Sequence, residues 1–546
     1  MIFTGLNRLT NHEMLNKPVF LLSLASGILL SLPWLFPNLG WSLFFAFVPL
    51  LLAEDRFFRP DVLPNTLLFY AAFIAFLVWN VLSTWWIGYV SITGMLIIAM
   101  FNALIMASVW LGASVVRRQH GPLSGFFSLV IFWLSFEFLQ HHWAIQWPWL
   151  VLGNGLANSV KMIQWYEFTG VLGGSLWILF SNILIFLFVK YLFEKSFLNV
   201  FNLTAYVLIL LGVPFLLSIH LYSGYTEKGT LINVAVLQPN INPYTEKFSG
   251  MSPDLQIRKL VSLAESAVSD STDLIITPET AFPPMWEDSI QTDRKVVPSI
   301  SGIIRKFANV SLLAGAMTKR KFNSGETVSE TARRSTDRSF SYDIFNSSLL
   351  FDRTEKIQIA HKSILVSGVE KMPFQKYFSF MDQFTLNLGG TNGSLASASV
   401  PSILTSVNGV KIGPVICFES AFGAHSADLV KSGAQVLVVI TNDGWWSDSP
   451  GIWQHFGYSR IRAIETRRSI ACSANTGISG FINQRGDVIK KSSVNSSVAL
   501  SSKIGLSDEI SFYAKNGDII GRISFLLSGL IAAYLLLKNW IWKGKR

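Results

Sequence analysis

The chain has 546 residues, of which 50% are hydrophobic and only 14% are charged. Soluble proteins carry about 25% charged residues on average, so this composition excludes an ordinary water-soluble enzyme and indicates an integral membrane protein. The net charge of +10 is then better interpreted as a signal of membrane orientation than of nucleic-acid binding, and no nucleic-acid partner is expected. The two cysteines, Cys417 and Cys472, form at most one disulfide bond, which leaves open a free thiol with a chemical role.

Long stretches of the N-terminal part contain no Lys, Arg, Asp or Glu, and a bilayer-spanning helix needs about 20 predominantly apolar residues. These stretches predict seven spans before residue 223 and an eighth near the C-terminus. The second span is the weakest, and a longer or re-entrant form is its alternative. The predicted spans are 18–36, 41–53, 66–88, 92–116, 123–140, 172–193, 204–222 and 519–537.

The basic residues beside these spans are distributed very unevenly. If the N-terminus is cytoplasmic, twelve Lys and Arg residues face the cytoplasm, and only Lys161 lies in an opposite short loop. Cytoplasmic loops are enriched in Lys and Arg, so both termini are predicted to be cytoplasmic and the segment after the seventh span to lie outside. The twelve residues are Arg8, Lys17, Arg56, Arg59, Arg117, Arg118, Lys190, Lys195, Lys538, Lys543, Lys545 and Arg546.

Residues 223–518 have the composition of a water-soluble domain, between a bundle over 1–222 and a C-terminal span with a basic tail over 519–546. Short β-branched runs alternate there with amphipathic stretches, which is typical of layered α/β folds. The polar stretch 319–343 is predicted to be a mobile loop. The predicted strands are 231–237, 274–277, 312–316, 347–351, 410–416, 436–441 and 470–474, and the predicted helices are 254–268, 421–432 and 452–466.

Three reactive side chains stand at the ends of strand-like segments, where α/β folds place their functional sites. Glu279 follows an apolar strand, Lys362 follows the strand-like run 356–360, and Cys417 stands where a strand leads into a helix. Each has an ordinary alternative explanation: a helix cap, a surface charge and a buried structural thiol. As a set they favour covalent catalysis. A carboxylate can take the thiol proton, the thiolate can attack a carbonyl group, and an ammonium can stabilise thiolate and oxyanion.

The order Pro278-Glu279, Lys362 and Cys417-Phe418-Glu419 resembles the Glu-Lys-Cys triad of the nitrilase superfamily, αββα sandwich proteins that hydrolyse carbon–nitrogen bonds. More narrowly, the whole chain resembles the apolipoprotein N-acyltransferases, the membrane-embedded branch of that superfamily. This resemblance rests on motifs spread along the chain. They are Trp147-Pro148-Trp149-Leu150, Gln238-Pro239-Asn240-Ile241, Asn346-Ser347-Ser348, Asn442-Asp443-Gly444-Trp445-Trp446, Trp453-Gln454-His455, Arg460, Arg462-Ala463, Glu465, Asn475-Thr476-Gly477-Ile478-Ser479 and Phe512-Tyr513-Ala514-Lys515-Asn516-Gly517-Asp518.

The resemblance implies a role for each residue of the site. Glu279 would be the general base, Lys362 would orient the substrate and stabilise the oxyanion, and Cys417 would be the nucleophile. Three further residues would support them: the backbone N–H of Phe418 in the oxyanion hole, and the acids Glu370 and Glu419.

Two positions depart from the family pattern. Ser367-Gly368-Val369 precedes Glu370 where the family commonly has Pro-Phe-Gly, and Lys247-Phe248 stands where some members have a substrate-side Trp. Neither departure changes the three triad residues.

The resemblance also implies the fold and the reaction. The fold would be an α-helical membrane bundle of about eight spans with an extracytoplasmic, nitrilase-like αββα domain. Cys417 would take an acyl chain from a membrane phospholipid, with phosphatidylethanolamine as the expected donor. The thioester would then acylate the amine of a diacylglyceryl-cysteine on an apolipoprotein. The implied location is the bacterial inner membrane, with the catalytic domain in the periplasm, and no cofactor is expected.

The alternatives are a membrane-anchored amidase or hydrolase that uses water, and a catalytically silent transporter or lipid-binding receptor.

Aromatic residues near the proposed site have two interpretations. Trp445, Trp446 and Trp453 would either rim a lipid entrance, since aromatic rings favour the membrane–water boundary, or fill the core.

Several other reactive residues are assigned ordinary roles. His361 and His455 are predicted to be structural, with a Cys–His pair at Cys417 as the alternative, and Cys472 to be packed and inert. Glu137 is placed near the interface, with the bundle interior as its alternative. No spacing of Cys, His and Asp indicates a zinc or iron site.

Overall fold

The computed structural model describes residues 6–56, 65–248, 250–293, 296–307, 309–354, 356–371 and 394–543. Its Cα positions divide into two compact units. One contains Met1–His142, Trp147–Ser223 and Asp518–Arg546, and the other contains Trp143–Gln146 and Gly224–Gly517. The predicted positions of Arg59, Lys545 and Arg546 lie outside the described residues.

The first unit is a helical bundle. Within the described part of the chain, seven of its helices are long and apolar enough to cross a membrane, which confirms the predicted class of fold. They owe their stability in lipid to the fact that a helix satisfies all of its own backbone polar groups. The helices are α1 (Leu6–Leu35), α2 (Val48–Arg56), α3 (Asn65–Thr84), α4 (Ile92–His120), α5 (Pro122–His142), α6 (Tyr166–Thr169), α7 (Val171–Phe193), α8 (Phe197–Gly224) and, after the second unit, α14 (Ile519–Lys543).

The predicted span 41–53 is not the single helix that its sequence suggested. A 3₁₀ helix (Gly40–Phe45) is followed by the nine-residue α2, which begins with a proline in its first turn. At about 1.5 Å per residue, α2 alone is far shorter than a bilayer core of about 30 Å. One end of the segment touches the backbone of Gly155 in the loop between α5 and α7. Near the other end, Glu54 forms an ion pair of 3.4 Å with Arg117, at the end of α4. The segment therefore joins the two ends of the bundle as a broken crossing.

Polar side chains link the helices inside the bundle. Asn102 donates a hydrogen bond of 2.8 Å from Nδ2 to Oδ1 of Asn80, and Gln140 donates one of 2.8 Å to Oδ1 of Asn102. This chain of amides connects α3, α4 and α5, since each uses its neighbour to satisfy a polar group that lipid would leave unbonded.

The structure corrects the predicted placement of Glu137 at the interface. Its side chain lies inside the bundle, where Oε1 accepts hydrogen bonds from Trp133 Nε1 at 3.0 Å and from the backbone N–H of Leu152 at 2.8 Å. The interior alternative is therefore right, and the carboxylate holds the α5–α7 loop against α5.

The second unit contains two mixed β-sheets. The first sheet has the strand order β14-β1-β2-β4-β6-β5, with β3 beside β4 and β7 beside β6, and the second has the order β13-β12-β11-β10-β9-β8. The strands are β1 (Leu231–Gln238), β2 (Leu274–Ile276), β3 (Phe282–Trp286), β4 (Ser311–Lys321), β5 (Arg333–Arg334), β6 (Ser341–Phe351), β7 (Gln358–His361), β8 (Leu404–Thr405), β9 (Lys411–Ile416), β10 (Val436–Thr441), β11 (Ile470–Ala474), β12 (Gly480–Ile482), β13 (Val488–Lys491) and β14 (Val498–Gly505).

Helices cover the outer faces of both sheets and complete the predicted αββα sandwich. Successive side chains of a strand point to opposite faces, so a strand buried on both sides is apolar throughout. In β2, Leu274 and Ile276 face the core between the sheets, whereas Ile275 faces the helices. The helices of this unit are α9 (Pro253–Ala267) and α10 (Val296–Lys306) on the first sheet, α11 (Gly423–Lys431) and α12 (Pro450–Thr466) on the second, and the short α13 (Phe512–Asn516).

The predicted loop 319–343 is shorter than expected. β4 and β6 pair as far as Lys321 with Tyr342, and β5 adds a short strand to the same sheet. Backbone pairing therefore continues into a segment whose polar side chains had suggested a loop.

Candidate active site

Cys417 and Glu279 both stand at irregular turns that follow parallel strands. Cys417 comes directly after β9 and has a φ of +54°, and the residue after Glu279, Thr280, has a φ of +48°. A left-handed backbone conformation costs a non-glycine residue about 1–3 kcal/mol and persists only where the surrounding structure holds it. The strain therefore lies at Cys417 itself and at the residue directly after Glu279.

Lys362 lies between two carboxylates. Its Nζ is 3.5 Å from Oε1 of Glu279 and 2.8 Å from Oε1 of Glu370, and its side chain is 1% exposed. Asn346 Nδ2 donates to the same two oxygens, at 2.7 Å and 3.1 Å. Although Asn346 was recognised in a motif, its role was not predicted. The fold therefore gathers Glu279, Lys362 and Glu370 into one buried charged group.

Burial and two members of this group, Glu279 and Lys362, shift the pKa of the thiol. Burial and the charge of Glu279 raise the pKa of Cys417 well above its usual value, against the opposing effect of Lys362. The cysteine is therefore a neutral thiol at rest, and a base must remove its proton. Burial disfavours the ammonium of Lys362, but Glu370, Glu279 and Cys417 together raise its pKa above the ordinary value. Lys362 is therefore a permanent cation at the site.

Glu419 ties the Cys417 turn to the Lys362 segment. Its Oε1 accepts from the backbone N–H of Ser363 at 2.7 Å, and its Oε2 accepts from that of Ile416 at 2.8 Å. Burial alone would raise its pKa, but the nearby His425, the N–H of Ile416 and the charge of Lys362 lower it to about 2. Glu419 is therefore ionised and bridges the segment of Cys417 to the segment of Lys362.

The altered segment before Glu370 still delivers that carboxylate to Lys362. The backbone N–H of Glu370 donates to the carbonyl of Val366 at 2.8 Å, and Val366 N–H returns a bond of 2.9 Å to Glu370 Oε2. Gly368 allows this tight turn, because its φ of +81° is unfavourable for other residues.

The N–H of Phe418 belongs to the first turn of the 3₁₀ helix Cys417–Ala421. Leading N–H groups of a helix have no partner within it, so this one is suited to bind an oxyanion. Its place in the oxyanion hole stays a prediction.

The three tryptophans have different surroundings. Trp445 stacks on Phe248 with ring centroids 5.7 Å apart, and the Tyr244 hydroxyl donates to its carbonyl at 2.8 Å. Tyr244 and Phe248 are exposed, so these three rings form an accessible aromatic patch. Trp446 and Trp453 are only partly buried but pack against the core under the second sheet. The surroundings of Trp446 and Trp453 therefore fit the core-filling alternative, whereas those of Trp445 do not.

Lys247 is a site residue that sequence analysis had noted only as a departure from the family. Its buried Nζ donates to the carbonyl of Glu279 at 3.2 Å and to Thr280 Oγ1 at 2.8 Å. Burial lowers the pKa of Lys247 to about 8, although Glu279 opposes this shift. The lysine therefore holds the turn that presents Glu279.

His455 is near Cys417 but does not form the Cys–His pair considered as an alternative. Its Nε2 lies 3.0 Å from the main-chain carbonyl oxygen of Cys417, and its Nδ1 lies 2.9 Å from Asp443 Oδ1. One ligand atom each from Cys417, Asp443 and His455 lies within 4.8 Å of the others, so the set is compact enough to consider for a metal ion. Residue spacing did not reveal this cluster, because it is assembled from three separate segments.

The other candidates lie apart from this cluster. His361 bonds Ser347 Oγ at 2.9 Å and stacks on Phe345. Cys472 is buried in β11, where burial raises its pKa to about 12.

Comparison with known proteins covers almost the whole chain. The profile of the apolipoprotein N-acyltransferase N-terminal domain matches residues 26–184, and that of the carbon–nitrogen hydrolases matches residues 233–508. The apolipoprotein N-acyltransferase of Chlorobaculum tepidum is 28% identical over 538 residues, which cover 95% of this chain and 97% of that protein. The Geobacter metallireducens apolipoprotein N-acyltransferase is 25% identical, covering 96% and 97%. Nit3 of Saccharomyces cerevisiae, a solved nitrilase-superfamily structure, is 17% identical, covers 54% of this chain and 97% of its own, and has a TM-score of 0.35.

Proposed function

The chain belongs to the carbon–nitrogen hydrolase family, in its apolipoprotein N-acyltransferase branch, and from this premise we propose a two-step acyl transfer on Cys417. The donor is a membrane phospholipid, with phosphatidylethanolamine proposed from the family. The acceptor is the N-terminal amine of a diacylglyceryl-cysteine apolipoprotein. The observation that carries the proposal is the convergence of Glu279, Lys362 and Glu370 on the turn that presents a neutral thiol.

In the first step, Glu279 takes the thiol proton and the Cys417 sulfur attacks the ester carbonyl of the phospholipid. Lys362 and the N–H of Phe418 stabilise the oxyanion of the tetrahedral intermediate. The C–O bond to the glycerol oxygen then breaks, and Glu279 returns its proton to that oxygen. The products are the thioester and a lysophospholipid.

In the second step, the α-amine of the lipoprotein attacks the thioester carbonyl. Glu279 takes a proton from the amine, the C–S bond breaks, and the proton returns to the departing sulfur. An amide forms and Cys417 is again a thiol, so the cycle needs no cofactor.

A membrane location supports this reaction, because both substrates are anchored by acyl chains. Burial of each CH₂ group is worth about 0.8 kcal/mol, so extraction of a long chain into water would be prohibitive. The seven long apolar helices keep the enzyme in the bilayer with its substrates. The exposed rings of Tyr244 and Phe248, with the partly buried Trp445 beside them, support a lipid-contacting entrance, since aromatic side chains favour the interface.

The proposed orientation has cytoplasmic termini and a periplasmic catalytic domain in the bacterial inner membrane. Basic residues from separate helices gather at one end of the bundle, where Arg117 and Lys190 both bind Asp55, at 2.8 Å and 3.0 Å. This clustering supports a cytoplasmic position for that end.

The test is the intact mass of the purified full-length protein after incubation with phosphatidylethanolamine vesicles. We expect an adduct of one acyl chain, released by hydroxylamine, on the wild type and on the control Cys472→Ala, but not on Cys417→Ala. An adduct that persists in Cys417→Ala would exclude this cysteine as the nucleophile.

The alternatives give different products. A hydrolase would release free fatty acid and leave an added diacylglyceryl peptide without its third chain. A silent lipid-binding protein would bind the vesicle lipid without an adduct or lysophospholipid. Either result would overturn the proposed transfer.

A further inference from the structure

A buried histidine bonds the main chain of the nucleophile. His455, on α12, is 2% exposed, and its Nε2 lies 3.0 Å from the Cys417 carbonyl oxygen and 2.7 Å from Ser420 Oγ. Both partners belong to the turn after β9. Cys417 has a left-handed backbone, so its carbonyl belongs to the strained part of the turn.

The hydrogen-bond pattern favours a doubly protonated ring. Asp443 Oδ1 lies 2.9 Å from Nδ1 and also accepts from Thr441 Oγ1 at 2.7 Å. A carboxylate oxygen and a carbonyl oxygen can only accept hydrogen bonds from His455, whereas the Ser420 hydroxyl can donate or accept. The two acceptor-only contacts therefore favour a proton on each ring nitrogen. Burial opposes a charged ring, but the charge and hydrogen bond of Asp443, with the Cys417 carbonyl, raise the pKa of His455 above its ordinary value.

The same contacts argue against a metal ion at this cluster. Metal binding requires a ring nitrogen with a free lone pair, whereas Nδ1 faces Asp443 and Nε2 faces the Cys417 carbonyl. Charged and titratable groups that face His455 include Asp443 after β10, Glu279 after β2 and the Cys417 thiol after β9. The imidazolium is thus a cation within 4.8 Å of the sulfur, on a different element from Lys362.

We propose that His455, kept doubly protonated by Asp443, is a positioning residue for Cys417. Its Nε2–H holds the carbonyl of the left-handed turn, and its charge lies beside the sulfur when the thiolate forms. The inference rests on the proposed role of Cys417 as the nucleophile. His455 is then a second cation at the site. It contacts the main chain of Cys417 and does not contact the substrate.

The test measures the rate of Cys417 alkylation by iodoacetamide as a function of pH, in full-length protein carrying Cys472→Ala so that one thiol reports. The midpoint of this profile follows thiolate formation, whereas its plateau follows access to the sulfur. His455→Gln keeps an N–H donor near the carbonyl but loses the charge, and His455→Leu loses both. We expect the midpoint to rise by about one pH unit or more in both variants, since a charge at this distance shifts a pKa by that amount.

The acylation rate then separates the hydrogen bond from the charge. With phosphatidylethanolamine bound, we expect His455→Leu to form the thioester about 100-fold more slowly than His455→Gln, because small misplacements of a reacting group cost about that much. The matched control is His141→Gln, a buried histidine of the bundle that bonds the Glu137 carbonyl at 2.9 Å. It should leave the alkylation midpoint unchanged.

Unchanged midpoints in both His455 variants, with only lower melting temperatures, would make His455 merely structural and overturn the inference. If His455→Leu does not fold, the midpoint of His455→Gln decides alone. Alkylation requires no lipid, so the inference remains testable if wild-type protein forms no acyl adduct. That last result would reject the proposed function only.

Discussion

The helical bundle and the catalytic domain both bury charged and polar side chains, but they use them differently. In the bundle, Glu54 and Arg117 pair across two helices, with 5% of each side chain exposed, and the amides of Asn80, Asn102 and Gln140 bond one another. These groups form ion pairs or hydrogen bonds with side chains on neighbouring helices, and the contacts hold the helices together.

In the catalytic domain, two carboxylates share one ammonium, and a thiol stands beside them on a left-handed turn. In the bundle, Glu54 and Asp55 are balanced by Arg117 and Lys190. In the catalytic domain two acids face one base, and one of the residues proposed to react, Cys417, has a left-handed backbone. Buried charge occurs in both regions, so it does not by itself identify a functional site. A site is indicated where burial coincides with unequal charge and a backbone conformation that the rest of the fold must hold in place.

The largest effect is expected from Lys362→Met. Removal of the shared ammonium leaves Glu279 and Glu370 facing each other without a cation, so thioester formation should be lost. The free energy of unfolding should also fall by about 3 kcal/mol or more. Intact mass and chemical denaturation measure the two effects. Lys190→Met, at a partly exposed lysine of the bundle, is the control. A comparable loss of thioester formation and stability in both variants would contradict a special role for Lys362.

A matched pair of Glu→Gln substitutions tests the contrast most directly. Glu279→Gln should slow single-turnover thioester formation by about 10²–10⁴-fold with little loss of stability, since it removes the general base and keeps the volume. Glu54→Gln should cost about 1–3 kcal/mol of stability, because Arg117 loses one of its two charged partners and keeps only Asp55, and should leave the rate per folded molecule unchanged. A normal rate in Glu279→Gln would remove it as the base.

Acid should act on the domain through Glu419. Its pKa in the folded protein is about 2, below the ordinary value, so its stabilisation is complete above about pH 5 and is lost as the pH falls towards 2. Glu419→Gln should therefore lower stability at neutral pH and reduce the dependence of unfolding on pH below 5. Thermal melting of the full-length protein across pH 3–7 checks this, and parallel profiles for the two proteins would contradict it.

The smallest effect is expected from Asn102→Leu in the bundle. Hydrogen bonds between membrane helices contribute about 0.6 kcal/mol on average, and this substitution disrupts two of them. The melting temperature should fall slightly, while acyl-adduct formation per folded molecule stays at the wild-type level. A large loss of acylation would instead tie the amide chain of the bundle to the chemistry.

Features that depend on local sequence were predicted well. Apolar runs without charges are sufficient to identify the long membrane helices, since lipid demands about 20 such residues in any context. The all-apolar β2 segment, buried on both faces, likewise marked a central strand of the sandwich. Glu279, Lys362 and Cys417 were selected because each follows a strand-like run. The structure places Lys362 3.5 Å from Glu279, and the catalytic roles of the three residues stay predictions.

Features that depend on distant residues were not predicted. The segment Gly40–Arg56 is broken because its partners, Gly155 and Arg117, lie far along the chain and accept two short helices in place of one. The side chain of Glu137 points inward for the same reason, since its partner N–H belongs to a loop.

Local sequence was sufficient to identify the long apolar helices, the class of the α/β sandwich and the residues that are chemically able to form a thioester. These are properties of composition, periodicity and residue type. The contacts that hold the reactive groups depend on the tertiary structure. Lys247 bonds the Glu279 carbonyl, Glu419 joins the Cys417 turn to the Lys362 segment, and His455 lies against the Cys417 carbonyl. Such contacts join positions tens of residues apart, and a hydrogen bond exists only when the fold brings its donor and acceptor within about 3 Å.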